Sequence, residues 1–487
     1  MIELREHQKD CIDALRNSIS RGIKRLLVKA PCSFGKTIVF CEIAKNVSKK
    51  SKKTLIIVDN VALVRQTVDK LTRFVGMDEV GIFCATLSEK EFKKITVGTI
   101  QSLKECKVDL VIIDEAHQGL NRVQKFLENF NGFVIGFTAT PFTSKGEKIY
   151  GKEDSFFSEL TYSVPAKIMI AKGFITPMKY HGESEETKVD LSNVKIVSGD
   201  YDMGQAEEAF LSQKEKMILQ VDDMLSRVKN RKRVIIMTTG IKHANTLSKM
   251  IEGSIAYHSD ILDEERDRIL KDFESGKYKF LIGVMAIYKG LDITCVDTIV
   301  NMRPIRSYSL FIQLAGRAVR KHEGKEDALF LDYGQTVERL GFYEEFDEKE
   351  YEAKKRTGEA PVKKCPKCFL IMFASCAECS ECGHKFPKRD MKSIDKLDIV
   401  AYEGEKEKTG VIYSHFFASS TFGNTIMLWI LQEGVSGAQK VEFKYSKSSS
   451  YALSLWKIHA SQVIDGRGII WKVVKGKYNN IVRIYDR

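Results

Sequence analysis

The sequence predicts an α/β protein in which two doubly wound parallel sheets follow one another, succeeded by a cysteine-rich segment and a small β-rich, basic end. Three observations carry that expectation. Short apolar runs alternate with amphipathic helical patterns as far as about Asp332, the signature of strand–crossover–strand units. Five of the eleven cysteines crowd between Cys365 and Cys382. Beyond them the helical period gives way to strand-like runs, VIYSHFF, NTIMLWIL, KVEFKY and GIIWKVV.

The chain has 487 residues, enough for about three or four domains, and its 43% apolar content supports real cores. It contains no run of about 18 apolar residues, and MIELREHQ is polar from its third residue. Neither a membrane span nor a signal peptide is expected, and the predicted location is the cytoplasm. The net charge of +12 points to a polyanionic partner. Six cysteines scattered through the first 300 residues fit reduced core thiols.

Along the chain, residues 1–20 read as a helix with Ile12, Leu15 and Ile19 on one face. Arg5 and Gln8 lie one turn apart at its head and suit an adenine edge, because an amide donates and accepts at once. The run KRLLVK then leads into Ala30 to Thr37, APCSFGKT, and a helical stretch. Strand, tight loop and helix in that order make a phosphate site. Backbone N–H groups around Ser33 and Gly35 wrap the anion, Lys36 supplies the cation and the Thr37 hydroxyl can hold Mg²⁺. An ordinary strand-to-helix turn is the plainer reading, and Ala30 stands where the strict pattern has Gly.

The apolar run Leu110 to Ile113 ends in Asp114-Glu115-Ala116-His117. We expect a buried strand beside the phosphate-loop strand, with Asp114 on the metal and Glu115 orienting water. The alternative is a solvated strand end. LIIVDNVALVRQ, ITVGTIQSL and FVIGFTATP repeat the strand-to-helix form and put Asn60, Arg65, Thr99, Gln101 and Thr138 near strand C-terminal ends. Each alone is more often a helix cap than a ligand contact, but as a set at one sheet edge they read as a binding surface, with Asn60, Arg65, Thr99 and Gln101 expected on nucleic acid. In the second sheet, Gln313, Gly316, Arg317 and Arg320 of QLAGRAVR share one face if the octamer is helical, aiming two guanidinium groups at one anion. An exposed basic helix face is the bland alternative.

CPKC, ten residues and CSEC read as a zinc ribbon held by Cys365, Cys368, Cys379 and Cys382, with Cys376 or His384 able to replace a ligand. From Lys440 onward ten Lys or Arg face three acids among aromatics that include Trp456 and Trp471. That mixture suits single-stranded nucleic acid, and equally a small β domain with aromatics in its core. The expected divisions are 1–178, a crossing segment 179–204, 205–340, a charged linker 341–362, a ribbon 363–388 and a β-rich end 389–487.

With these motifs assembled, the chain resembles a superfamily 2 helicase of the DEAH type over roughly its first 332 residues. The signature is APCSFGKT, VDNVALVRQ, VGTIQSL, DEAH and TAT, then MTTG, YHSD with Arg266 and Phe273, GLDI and QLAGRAVR. The joint MIAKGFITP is similar to that of phage branch-migration and recombination helicases, including the DNA helicase of T5-like phages. The resemblance implies two RecA-like lobes, with Lys36 on the β- and γ-phosphates of ATP, Thr37 and Asp114 on Mg²⁺, and Glu115 as the water-orienting base. It further implies Arg317 and Arg320 as arginine fingers and Gln313 near the γ-phosphate. Arg5 and Gln8 would read adenine, Gly290 and Asp292 would lie at the lobe interface, and Thr239 and Lys289 on the nucleic-acid path. The implied function is an ATP-dependent helicase or translocase, working as a monomeric motor on forked or branched DNA. An RNA helicase and a non-catalytic clamp on a helicase fold are the rivals. Intact Lys36, Asp114, Glu115 and Arg317 speak against the clamp.

Overall fold

In the computed structural model, residues 3–103, 107–143, 147–197, 199–284, 293–345 and 362–387 are described in full. Residues 408–420, 423–432, 438–445, 468–475 and 480–486 are described as backbone strands. Gly290, Asp292, Lys289 and Trp456 fall outside the described residues, as does most of the charged linker.

Helix α1 (Glu6–Ser20) buries His7, Gln8, Cys11, Ile12 and Leu15 against the first sheet. The sheet contains β1 (Arg25–Lys29), β2 (Thr54–Val58), β3 (Val80–Cys84), β4 (Glu89–Lys90), β5 (Ile95–Thr99), β6 (Leu110–Ile113), β7 (Phe133–Thr138) and β8 (Glu159–Ser163). Their order is β4-β3-β5-β2-β6-β7-β1-β8, with all neighbours parallel except β3 and β4. The fully buried runs TLIIV and LVII sit inside this sheet, covered on both faces as parallel strands require. Helices α2 (Lys36–Ser48) and α3 (Val61–Val75) follow β1 and β2, and the short α4 (Leu120–Phe126) and α5 (Ala166–Ala171) follow β6 and β8. The strand ending in Asp114 is not the neighbour of β1, because β7 lies between them.

The second sheet corrects a boundary. Residues 179–204, expected as a crossing segment, begin with β9 (Met178–Gly182), which pairs in parallel with the last strand of the second lobe. Apolar Met178 and Tyr180 are buried there, although the run is too polar to announce a strand. A hairpin of two-residue strands, β10 (Ile196–Val197) with β11 (Asp200–Tyr201), precedes two helices, α6 (Met203–Ser212) and α7 (Lys214–Arg227). Then come β12 (Val234–Met237), α8 (Ile241–Met250), β13 (Ser254–Tyr257), α9 (Asp263–Ser275), β14 (Phe280–Gly283), β15 (Thr298–Asn301), α10 (Tyr308–Ala318), β16 (Ala328–Asp332) and α11 (Thr336–Leu340). The sheet order is β13-β14-β12-β15-β16-β9, parallel throughout. Helix α9 buries Ile269 and Phe273 as its period predicts and stops at Gly276 in the left-handed region.

A two-stranded ribbon, β17 (Val362–Lys364) with β18 (Ile371–Phe373), follows and belongs to the same compact unit, which ends at Phe386. The remaining unit, from Pro387, contains β19 (Lys408–Ser420), β20 (Gly423–Gln432), β21 (Ala438–Tyr445), β22 (Gly468–Lys475) and β23 (Asn480–Asp486). They form an antiparallel sheet ordered β21-β20-β19-β22-β23, so the β-rich reading of this end holds, with Trp471 on β22.

One close approach inside the first sheet is testable. A Cβ on Gly136 of β7 would collide with the fully buried Phe157 ring and crowd Ala116, beside Glu115. Gly136→Ala is expected to lower stability by about 1–3 kcal/mol, as overpacking does, read as a lower urea midpoint for the first lobe with an unchanged slope.

Candidate functional site

The loop after β1 is shaped by two residues with positive φ. Ser33 has φ 69° and Gly35 φ 85°. Gly35 is required twice over, since its backbone is left-handed and a Cβ would run into the Gln8 carboxamide. Ser33 accepts a conformation that costs a non-glycine residue about 1–2 kcal/mol. Its buried hydroxyl has no hydrogen-bond partner among the described residues, an orphan at the position where a phosphate oxygen would supply one. Gln8 is bound on both sides, accepting from Arg5 N–H at 3.0 Å and donating to the Phe34 carbonyl at 3.2 Å.

Lys36 opens α2 and its Nζ lies 2.7 Å from Glu115 Oε1, with the two side chains only 12% and 20% exposed. Burial pulls the Lys36 ammonium down, but Glu115 and Asp114 outweigh it and hold it well above its ordinary value. Burial also works against the Glu115 carboxylate, yet Lys36, with help from His117, keeps it below the usual range. Asp114 goes the other way. Burial pushes it up to about 6 despite Lys36. Burial and the shared lysine thus push the two neighbouring carboxyls in opposite directions.

The second lobe closes the cleft. Gln313, Gly316, Arg317 and Arg320 line the same space as Arg5, Gln8, Ser33, Lys36, Thr37, Asp114 and Glu115, a volume of about 490 Å³. That lies within the range of small-molecule sites. Arg320 lies just beyond the helix that carries Gln313, Gly316 and Arg317, and still lines the same cleft. Helix α10 ends at Ala318, and the next carbonyls are taken by other groups. Thr176 N–H bonds Val319 O at 2.9 Å, and Lys325 Nζ bonds Arg320 O at 2.7 Å. Gly316 is pressed against Cys32 of the phosphate loop, and a Cβ there would collide with the Cys32 sulfur.

A polar chain joins the lobes behind this cleft. His117 Nδ1 pairs with Thr138 Oγ1 at 2.9 Å, and its Nε2 pairs with Ser309 Oγ on α10 at 2.8 Å. Thr140 Oγ1 donates to the same Ser309 oxygen at 3.1 Å. The sequence reading missed Ser309, and also Phe174, Asp59, Gln118 and Lys321 on the cleft wall. Ser309 stands four residues before Gln313, a helical-spacing signal that could have flagged it.

The residues expected to contact nucleic acid are less united. Asn60 caps α3, its Oδ1 accepting from Leu63 N–H at 3.0 Å. Thr99 is buried and pairs with Ser102 at 2.9 Å, and Thr239 is buried and pairs with His243 at 2.9 Å. Arg65 and Gln101 are exposed.

The ribbon cysteines do converge. Cys365, Cys368, Cys379 and Cys382 present sulfurs all within 4.8 Å of one another, and Cys376 stands outside that group. Two pairs, Cys365 with Cys382 and Cys368 with Cys379, are 3.5 Å apart. A tetrahedral zinc with Zn–S near 2.3 Å needs sulfurs about 3.8 Å apart, so four thiolates in this arrangement fit the ion.

Comparison with known proteins agrees with the two-lobe cleft. Residues 1–143 match the family model of the type III restriction enzyme res subunit, and residues 215–322 match the helicase conserved C-terminal domain. The chain is 27% identical over 359 residues to the protein of Saccharomyces cerevisiae named putative ATP-dependent helicase IRC3, covering 68% of this chain and 51% of that protein. It is 24% identical over 399 residues to a 51.5 kDa protein of a Lactococcus phage, covering 78% and 83%. With the DNA 3'-5' translocase XPB2 of Sulfurisphaera tokodaii it shares 25% over 378 residues, covering 68% and 81%. It thus spans about half the length of the yeast relative. In fold it is similar to a fragment of a putative HsdR subunit of a type I restriction enzyme from Vibrio vulnificus, with a TM-score of 0.55, 19% identity and coverage of 70% and 67%. Two matched domains in this order, meeting at a cleft that unites Lys36, Asp114 and Glu115 with Arg317 and Arg320, place the chain in superfamily 2 of the ATP-hydrolysing helicases.

Proposed function

We propose that the chain is an ATP-driven motor that unwinds or branch-migrates forked or branched DNA, acting as a monomer in the cytoplasm of a phage host. The observation that carries the motor is the divided site. The phosphate loop and acidic pair stand on one lobe and the arginines on the other, so hydrolysis is complete only when the lobes meet. Lys36 would hold the β- and γ-phosphates, and Glu115 would orient the attacking water. Arg317 and Arg320 would stabilise the charge that develops on the transferred phosphoryl group. Thr37 and Asp114 would hold Mg²⁺, which neutralises phosphate charge when bound. The Lys36 to Glu115 ion pair supports the assignment, because an incoming phosphate competes with Glu115 for the ammonium and leaves the carboxylate facing water. Support for DNA comes from the relatives, a DNA 3'-5' translocase among them, and from the resemblance of the MIAKGFITP joint to that of phage DNA helicases. The four ribbon cysteines would hold zinc as a structural ion that closes the knuckle. ATPase rates on single-stranded, duplex, forked and four-way DNA and on RNA test the reading, and stimulation by RNA alone would overturn the choice of DNA.

Substitutions in the acidic pair and the loop separate binding from turnover. Lys36→Ala is expected to weaken nucleotide affinity and stop hydrolysis. Glu115→Gln is expected to bind ATP and hold it. Measured turnover by Glu115→Gln near wild type would remove Glu115 from its role. Arg317→Ala is expected to melt with the wild type but hydrolyse at least about a thousandfold more slowly.

The tail gives a separate expectation. The basic residues from Lys440 onward would grip phosphates, each contact adding about 0.7–0.9 to the salt slope of affinity. Removing residues after Pro387 is therefore expected to leave basal ATPase intact, weaken fork binding and flatten its dependence on salt. Equal slopes for the two proteins would leave the tail a different task.

A further inference from the structure

The segment Gly173-Phe174-Ile175-Thr176-Pro177 joins the lobes, and its hydrogen bonds change owner in the middle. Phe174 N–H and Ile175 N–H both bond the Met169 carbonyl, at 2.9 and 3.3 Å, tying them to α5. Lys172, just upstream, reaches Glu6 of α1 at 3.0 Å. From Thr176 onward the partners belong to the second lobe. Thr176 N–H bonds Val319 O, and its hydroxyl points to Arg320 O at 3.4 Å. Pro177 O accepts from Ala328 N–H at 2.8 Å, and Met178 begins β9 in register with β16. The hydrogen-bond partners change between Ile175 and Thr176, two buried residues, and this joint is where we place the hinge between the lobes.

Phe174 stands beside that hinge on the wall of the cleft. Its ring is supported by the buried His7, with centroids 4.5 Å apart edge to face, and His7 is itself held to the Phe34 carbonyl of the phosphate loop at 3.2 Å. The Arg5 guanidinium lies over the Phe174 ring at 5.2 Å. Arg5 is exposed at the helix head, so it can swing outward, and a flat heterocycle can enter between guanidinium and ring with both stacking on it. Gln8 sits at the same end of the cleft with one amide hydrogen and one oxygen lone pair still available to a base edge.

Resting on the reading of this cleft as an ATP site, we infer that Phe174 is the stacking platform for the nucleobase. Thr176, two residues on, is a positioning residue for Arg320. Seating a base against Phe174 fixes the last residues owned by the first lobe. The next residue holds the carbonyls that end α10, so base occupancy sets the finger segment through a link two residues long. A triphosphate without a base binds the loop but leaves the hinge unset.

The test compares ATP with inorganic tripolyphosphate as substrates for the full chain, with Lys36→Ala as reference. Phe174→Leu keeps the apolar volume and Phe174→Tyr keeps the ring, so folding is checked by their melting curves. Phe174→Leu is expected to raise KM for ATP about tenfold or more, the scale of one lost base stack, while its tripolyphosphate kinetics match the wild type. Phe174→Tyr is expected to restore the ATP value. Thr176→Val, which keeps the N–H but loses the hydroxyl, is expected to lower kcat several-fold with KM for ATP unchanged. An equal effect of Phe174→Leu on both substrates, or no effect on either, overturns the platform, and a Thr176→Val enzyme with wild-type kcat overturns the tether. Failure of the ATP-site reading looks different, because Lys36→Ala would then bind and hydrolyse ATP like the wild type.

Discussion

The Lys36 to Glu115 ion pair organises the first lobe. Two opposite charges mostly removed from water are costly singly and tolerable together, so the chain must bring them within contact although they are 79 residues apart in sequence. The sheet order answers that demand. With β6 one strand away from β1, both loops open at the same edge, and the long lysine side chain spans the width of β7. The intervening strand is more than a spacer. Its terminal Thr138 fixes His117, so the strand that separates the two halves of the site also directs the link to the other lobe.

The lobes meet through contacts that depend on smallness and on short reach. Gly316 lies against Cys32, and any side chain there would push α10 off the phosphate loop and carry Arg317 with it. Ser309 does the opposite kind of work, drawing the start of α10 to His117 and Thr140. One end of the helix is admitted by a missing side chain and the other is held by a hydroxyl. Helix α10 is thus tied to the first lobe at two points, near its start through Ser309 and near its end through Gly316.

Much of this was legible in the sequence where chemistry is contiguous. APCSFGKT, DEAH and the two cysteine knuckles each place their reactive groups within a few residues, and the structure gathers them where the motifs imply. Legibility fails where position depends on pairing across the chain. Strand β9 carries polar Lys179 and His181 and is recognisable only once β16 lies beside it. Arg320 lies two residues past the end of α10 yet lines the same cleft as Arg317, with Thr176 and Lys325 bonded to the carbonyls of Val319 and Arg320. Asn60, Thr99 and Thr239 are read from spacing alone. A small polar residue at a strand end has the same spacing whether it meets a ligand or a neighbour in sequence, and these three each bond a local partner, a backbone N–H for Asn60 and the side chains of Ser102 and His243 for the threonines.

The ribbon extends the same logic to the outer edge of the second lobe. Strand β9 is the last in its sheet, and a bare edge offers unpaired N–H and C=O groups to any passing strand. Here Gly182 N–H bonds Phe369 O at 2.9 Å and His181 bridges to Leu370. His181 Nδ1 and the Arg227 guanidinium both engage Cys368 O at 3.2 Å. Lys364 reaches Glu338 at 3.1 Å and the buried Glu183 at 3.7 Å. The backbone that covers the edge is the knuckle itself, turned by Phe369 in the left-handed region between two cysteine pairs. Its shape depends on the four thiolates staying together, so whatever holds them also seals β9. The ribbon is therefore part of the second lobe's architecture, and a cut before it would disturb β9, its neighbour β16 and the hinge that feeds them, whereas a cut after Pro387 would not.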